Sequence, residues 1–127
     1  LRNGAAKMKV YEYKACSTCQ KALKFLDAMK IPYEKIPIVD QPPSLSELKQ
    51  MLEYLKADGE TFKKLFNTSG VQYRELKISD KIKAGLTEAE ALKLLAQNGK
   101  LIKRPFVLAK NGGAVGFDLV VWTGLFK

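Results

Sequence analysis

Two cysteines, Cys16 and Cys19, are the only thiols of the chain, and they lie in one Cys-Ser-Thr-Cys run. A thiolate attacks a disulfide sulfur, and a second thiol one helical turn further on can resolve the resulting mixed disulfide without an external thiol. The spacing predicts Cys16 as nucleophile and Cys19 as resolving thiol. The first cysteine lies closest to the unpaired N–H groups that open a helix, whose positive dipole favours a thiolate, and Lys14 and Lys21 add positive potential. The bland alternative is a pair of small core residues, since free cysteine is among the most buried residue types; polar Ser17 and Thr18 between the two argue against a dry core. The N–H groups from Ala15 to Cys19 can also cradle a tetrahedral oxyanion, as helix N-termini do for phosphate. That makes Ser17 and Thr18 candidate substrate contacts.

The rest of the composition removes competing chemistries. There is no histidine among the 127 residues, which excludes imidazole triads, histidine metal clusters and histidine proton shuttles. Two cysteines cannot close a tetrahedral zinc site alone, so no metal and no bound cofactor is expected. The longest apolar runs, such as residues 106–109 and 119–122, are far short of the roughly 18 residues of a membrane span. No secretory pattern opens the chain, and a cytoplasmic location is expected, where paired cysteines read as redox or metal chemistry before structural disulfide. The net charge of +9 comes from 22 Lys and Arg against 13 Asp and Glu. It is diffuse: Lys63-Lys64 and Lys103-Arg104 are the basic doublets, and no arginine-rich or aromatic-interleaved stripe of a nucleic-acid binder occurs. The charge favours acidic partners and anionic substrates.

The elements that must position the cysteines follow from periodicity. Residues 1–7 lack a pattern and read as a leader or remnant, leaving residues 8–127 as one domain, expected to be a monomer. Residues 9–13 are β-branched and aromatic, a short strand. After the cysteines, Ala22, Leu23, Leu26 and Met29 recur at helical spacing, ending at Ile31-Pro32. Residues 33–39 alternate as a second strand, with Pro37 marking an edge or irregular position. Strand, helix, strand is a βαβ unit. Ser44 with Glu47, and Thr87 with Glu90, are capping-box signatures opening two further helices. A short helix is expected at 61–66, a turn at 67–70, and a short helix or irregular segment at 73–86. Residues 106–109 and 114–117, flanking Lys110-Asn111-Gly112-Gly113, read as a hairpin, followed by an amphipathic tail through Trp122. On spacing alone, Arg104 reads as a surface arginine before a trans Pro105.

Five stretches together, residues 13–19 (YKACSTC), 65–70 (LFNTSG), 73–76 (YREL), 101–105 (LIKRP) and 115–117 (VGF), resemble the glutaredoxin-type arsenate reductase family, including the branch of the Spx and MgsR transcription regulators. The resemblance covers residues 8–126. It implies an α/β, thioredoxin-like fold with a helical insertion between the βαβ unit and the later helix, hairpin and C-terminal helix, and a cis peptide at Arg104-Pro105. In family members that reduce arsenate, the thiolate at the position of Cys16 attacks the oxyanion, glutathione and glutaredoxin complete the reduction, and three arginines hold the anion. Arg104 matches one of them; Asn67 stands at the second, and no arginine occurs near Val115-Gly116, the third. Losing two bidentate donors weakens oxyanion binding. Cys16, Cys19 and Arg104 are thus expected to be catalytic, with Ser17, Thr18, Asn67 and Pro105 lining the substrate site, glutathione with glutaredoxin or thioredoxin as reductant, and a small oxyanion or disulfide as substrate. Cys19 resembles instead the redox-switch pair of the Spx branch, which implies an alternative role: a sensor binding the RNA polymerase α subunit.

Overall fold

The computed structural model describes residues 8–109 and 112–126. Four strands form one sheet in the order β2-β1-β3-β4: β1 (Met8–Glu12), β2 (Tyr33–Pro37), β3 (Phe106–Ala109) and β4 (Gly112–Val115). β1 and β2 run parallel, from Met8 opposite Tyr33 to Glu12 opposite Pro37, and α1 (Ser17–Ala28) makes the crossover. β3 is antiparallel to both β1 and β4. β2 is an edge strand, which is where Pro37 can sit without breaking a ladder on both sides. This is an α/β, thioredoxin-like architecture.

Side chains alternate across the sheet and divide the core in two. Met8, Val10, Val107 and Ala109 face α1 and α6 (Leu119–Leu125), packing on Ala22, Leu26, Trp122 and Phe126. Tyr11, Phe106 and Leu108 face the other way, onto α2 (Leu45–Ala57) and α5 (Glu88–Gln97), through Leu48, Met51, Leu92 and Leu95. Between α2 and α5 run a 3-10 turn at Phe62–Leu65, α3 (Val71–Glu75) and α4 (Ile78–Lys83). Both capping boxes are made as the sequence predicts, Ser44 with Glu47 and Thr87 with Glu90. Among the described residues, no helix is long and apolar enough to cross a membrane.

Several boundaries differ from the sequence reading. α1 ends at Ala28, before Ile31-Pro32, because Lys30 turns left-handed (φ 57°) and the Ile31 N–H closes back on the Leu26 carbonyl at 3.0 Å. Residues 73–86 contribute to two short helices, α3 and α4, separated by Lys77, also left-handed at φ 52°. β2 stops at Pro37, two residues early, since Gln41 N–H turns back onto the Pro37 carbonyl. β4 starts at Gly112 and ends at Val115, two residues before the expected strand, because its register is set by β3, with Val115 opposite Phe106 and Gly112 opposite Ala109. The predicted leader (residues 1–7) and the Lys110-Asn111 part of the hairpin turn lie outside the described residues.

Candidate active site

Cys16 is the N-cap of α1. Its extended backbone (φ −94°, ψ 111°) lets the side chain fold over the first turn, where Sγ accepts the Cys19 N–H at 3.3 Å. This contact strengthens as the sulfur gains negative charge. The Cys16 N–H in turn donates to the Tyr13 carbonyl at 3.0 Å, pinning the loop to the end of β1. α1 carries no acidic residue in its first turn, so no local carboxylate opposes an anion there.

The two thiols have different surroundings. Cys16 is half-buried, whereas Cys19 is fully buried on α1. Burial pushes the Cys19 thiol up to about 12, aided by its hydrogen bond to Cys16 and opposed by a backbone hydrogen bond at Tyr13 and the Arg104 charge. Cys19 is therefore a neutral donor beside Cys16 at neutral pH. Both cysteines are free. The bland reading of two core cysteines fits Cys19 by burial but not Cys16.

A cleft of about 340 Å³ opens over Cys16, lined also by Thr18, Asn67, Ser69, Lys103, Arg104, Gly116 and Phe117. Two distant segments close it. The Asn67 N–H donates to the Leu101 carbonyl and the Lys103 N–H to the Leu65 carbonyl, both at 2.7 Å, around a bridge between Phe66 and Ile102. This staple fastens the turn carrying Asn67 to the loop carrying Arg104. The Arg104-Pro105 bond is cis, which corrects the trans reading drawn from spacing. Arg104 is also not a free surface arginine: its guanidinium carbon lies 4.8 Å from the centre of the Tyr13 ring, and its Nε is buried without a hydrogen-bond partner.

Of the sequence-predicted site residues, Cys16, Thr18, Asn67 and Arg104 share this cleft, with Cys19 directly beneath Cys16. Ser17 is exposed at the first position of α1 and Pro105 is buried; neither lines the cleft. The oxyanion cradle is narrower than expected, since the Cys16 and Cys19 N–H groups are engaged within the loop. Spacing alone does not mark Ser69, Gly116 or Phe117 as site residues. Lys103, half of a basic doublet in the sequence, brings a second cation to the cleft beside Arg104. Larger hollows exist, one of about 520 Å³ between α4 and α5, but it holds none of the predicted site residues. Among the described residues, no three His, Cys, Asp or Glu side chains gather as a metal site.

A cysteine pair at the head of the helix that follows β1, facing a cis-proline loop across a mixed sheet, defines a thioredoxin-like protein. The ArsC family model matches residues 11–123, and the chain belongs to that family. YusI of Bacillus subtilis is 44% identical over 84% of this chain and 87% of its own length. An arsenate reductase of Neisseria meningitidis is 30% identical over 88% and 92%, and the global transcriptional regulator Spx of Listeria innocua is 26% identical over 86% and 79%. Among solved structures, an ArsC family related protein from Bacteroides fragilis superposes with a TM-score of 0.85 at 46% identity, covering 94% of this chain and 97% of that one.

Proposed function

We propose that the protein is a cytoplasmic thiol–disulfide oxidoreductase in which Cys16 attacks and Cys19 resolves. The observation that carries this reading is the asymmetric pair: Cys16 Sγ caps α1 at the mouth of a cleft and accepts the backbone N–H of Cys19, whose own thiol is fully buried. In the reducing direction, the Cys16 thiolate attacks a substrate disulfide, forms a mixed disulfide and expels the substrate's second sulfur as a thiolate. That thiolate takes the Cys19 proton. Cys19 then attacks Cys16 Sγ, which releases the reduced substrate and leaves a Cys16–Cys19 disulfide for glutathione with glutaredoxin, or thioredoxin, to reduce.

Arsenate is expected to be a poor substrate. Arg104 is the cleft's one guanidinium and already rests on Tyr13, while Asn67 offers a neutral amide where an arginine would pair bidentately with the anion. The test is a coupled assay of NADPH consumption with a small disulfide or arsenate as substrate and each reductant in turn. Disulfide turnover lost in Cys16→Ser supports the reading; equal turnover in that variant overturns it. Asn67→Arg should lower KM for arsenate, a charge-assisted hydrogen bond contributing about 1.5 to 3 kcal/mol.

The similarity to Spx, together with a pair able to close into an intramolecular disulfide, supports a second reading, a redox sensor that binds the RNA polymerase α subunit. Capture of that subunit which changes with oxidation, with no turnover in any coupled assay, would favour it.

A further inference from the structure

Cys19 is fully buried, so Cys16 Sγ alone can form a bond with an incoming sulfur. The approach to Cys16 is therefore also the approach of the substrate. Its cleft does not end at Phe117: Lys103, Gly116 and Phe117 also line a second groove of about 380 Å³. That groove follows β4, which is the outer strand of the sheet with no strand beyond it among the described residues. Leu55 of α2 walls it on one side, and Val121 and Trp122 of α6 on the other. On α6, Leu119, Val120 and Val121 are 60%, 82% and 55% exposed, a consecutive apolar run left in water, and Val121 of that run lines the groove.

We propose that this groove seats a cysteine-bearing polypeptide segment that lies extended along the outer edge of β4 and delivers its disulfide to Cys16. The proposal rests on Cys16 being a thiol nucleophile and names the substrate class as a protein disulfide. Three features select this occupant. An open strand edge offers main-chain donors and acceptors that an extended backbone satisfies. The four residues of β4 span about 13 Å, roughly four residues of an extended partner and longer than a small oxyanion can use. The groove carries Lys64 and Lys103 against Asp58, Glu60 and Asp118, so it is locally acidic in a chain of net charge +9 and suits a neutral or basic segment rather than a small anion. In the reaction, the Cys16 thiolate attacks the segment's sulfur, the substrate S–S bond breaks, and the departing thiolate takes the Cys19 proton; attack by the Cys19 thiolate on Cys16 Sγ then breaks the mixed disulfide and frees the segment as a thiolate, which takes its proton from solvent.

The test uses the full reduced chain and three probes, each a cysteine in mixed disulfide with thionitrobenzoate, whose release is read by absorbance. The first probe is cysteine itself. The second is a seven-residue Val/Thr peptide with central cysteine and one lysine, and the third is that peptide with alternate backbone amides N-methylated. The plain peptide should react at least about tenfold faster than free cysteine, the factor that one or two backbone hydrogen bonds supply, and N-methylation should remove the gain. Val121→Glu should bring the ratio of peptide to cysteine rates toward one. Equal rates for all three probes would overturn the groove while leaving Cys16 a nucleophile. No thionitrobenzoate release above that of a Cys16→Ser control, with any probe, would instead overturn the nucleophile assignment. If the chain is dimeric by sedimentation and Val121→Glu makes it monomeric, a second copy covers the groove and the proposal fails.

Discussion

Three helices open on the same register with different chemistry. α2 begins Ser44-x-x-Glu47 and α5 begins Thr87-x-x-Glu90, each with a hydroxyl accepting the N–H three residues on and a carboxylate returning to the cap N–H. α1 begins Cys16-x-x-Cys19, and sulfur takes the place of the hydroxyl, accepting the N–H of Cys19. The carboxylate has no counterpart. In α2 and α5 the partial positive charge of the first turn is answered by glutamate; in α1 it is left for whatever anion forms at Cys16. A motif that secures a helix start in two places has, in the third, both of its capping residues replaced by cysteine. The difference teaches that stability withheld at α1 is what leaves Cys16 available.

The largest effect expected from this comparison is the contrast between the two thiols. Near neutral pH, iodoacetamide should modify Cys16 alone in the native protein, because Cys19 is buried and burial raises its thiol well above the ordinary range, whereas both should react in urea. Peptide mapping by mass spectrometry checks this, and faster labelling of Cys19 would reverse the assigned roles.

A sharper probe makes α1 more like its sister helices. Thr18→Glu places a carboxylate in the exposed first turn, which should stabilise the helix by about 0.3 to 1 kcal/mol while slowing alkylation of Cys16. Opposite signs in a thermal melt and a labelling rate would show that the two properties trade against one another; a rise or fall of both together would break the comparison.

Removing a conventional cap should act on stability alone. Ser44→Ala is expected to cost about 1 kcal/mol in urea unfolding, as N-cap losses do, with the labelling rate of Cys16 unchanged.

The smallest effect is a pH dependence. Burial disfavours ionisation of Glu47, but the Ser44 N–H, the Tyr11 hydroxyl at 2.7 Å and the Lys9 ammonium at 3.1 Å outweigh it and hold the carboxyl below its ordinary value. A depressed value means that the native state favours the ionised form. Its contribution is complete above the unfolded value of about 4.3 and is lost as pH falls through the lower folded value. Glu47→Gln should therefore lower stability at neutral pH and flatten this part of the acid limb, as followed by urea titrations between pH 7 and pH 3.

How much of this was legible in the sequence depends on how local the cause is. Capping boxes, the position of the cysteines at the head of a helix and the edge location of Pro37 depend on a few neighbouring residues, and each occurs where spacing places it. The start of β4 does not: Gly112-Gly113 carries no alternating side chains, and its partners on β3 decide the register. Local spacing shows only the cysteine side of the site; Asn67 and Arg104 enter through the family resemblance. Nothing local joins Asn67 to Arg104; a bridge between Phe66 and Ile102, residues far apart in the chain, does so. The role of Lys103 is hidden for the same reason, since a basic doublet has no direction until the loop around the cis proline gives it one.

Trp122 is the only tryptophan of the chain. It is 1% exposed, and its ring lies 4.9 Å edge-on from that of Phe117, which forms part of the wall above Cys16. One aromatic ring thus separates the chain's dominant fluorophore from its thiol chemistry. The emission of the unmodified protein should therefore shift when Cys16 is modified or the cleft is filled, a change that a fluorescence titration would read without attaching a dye.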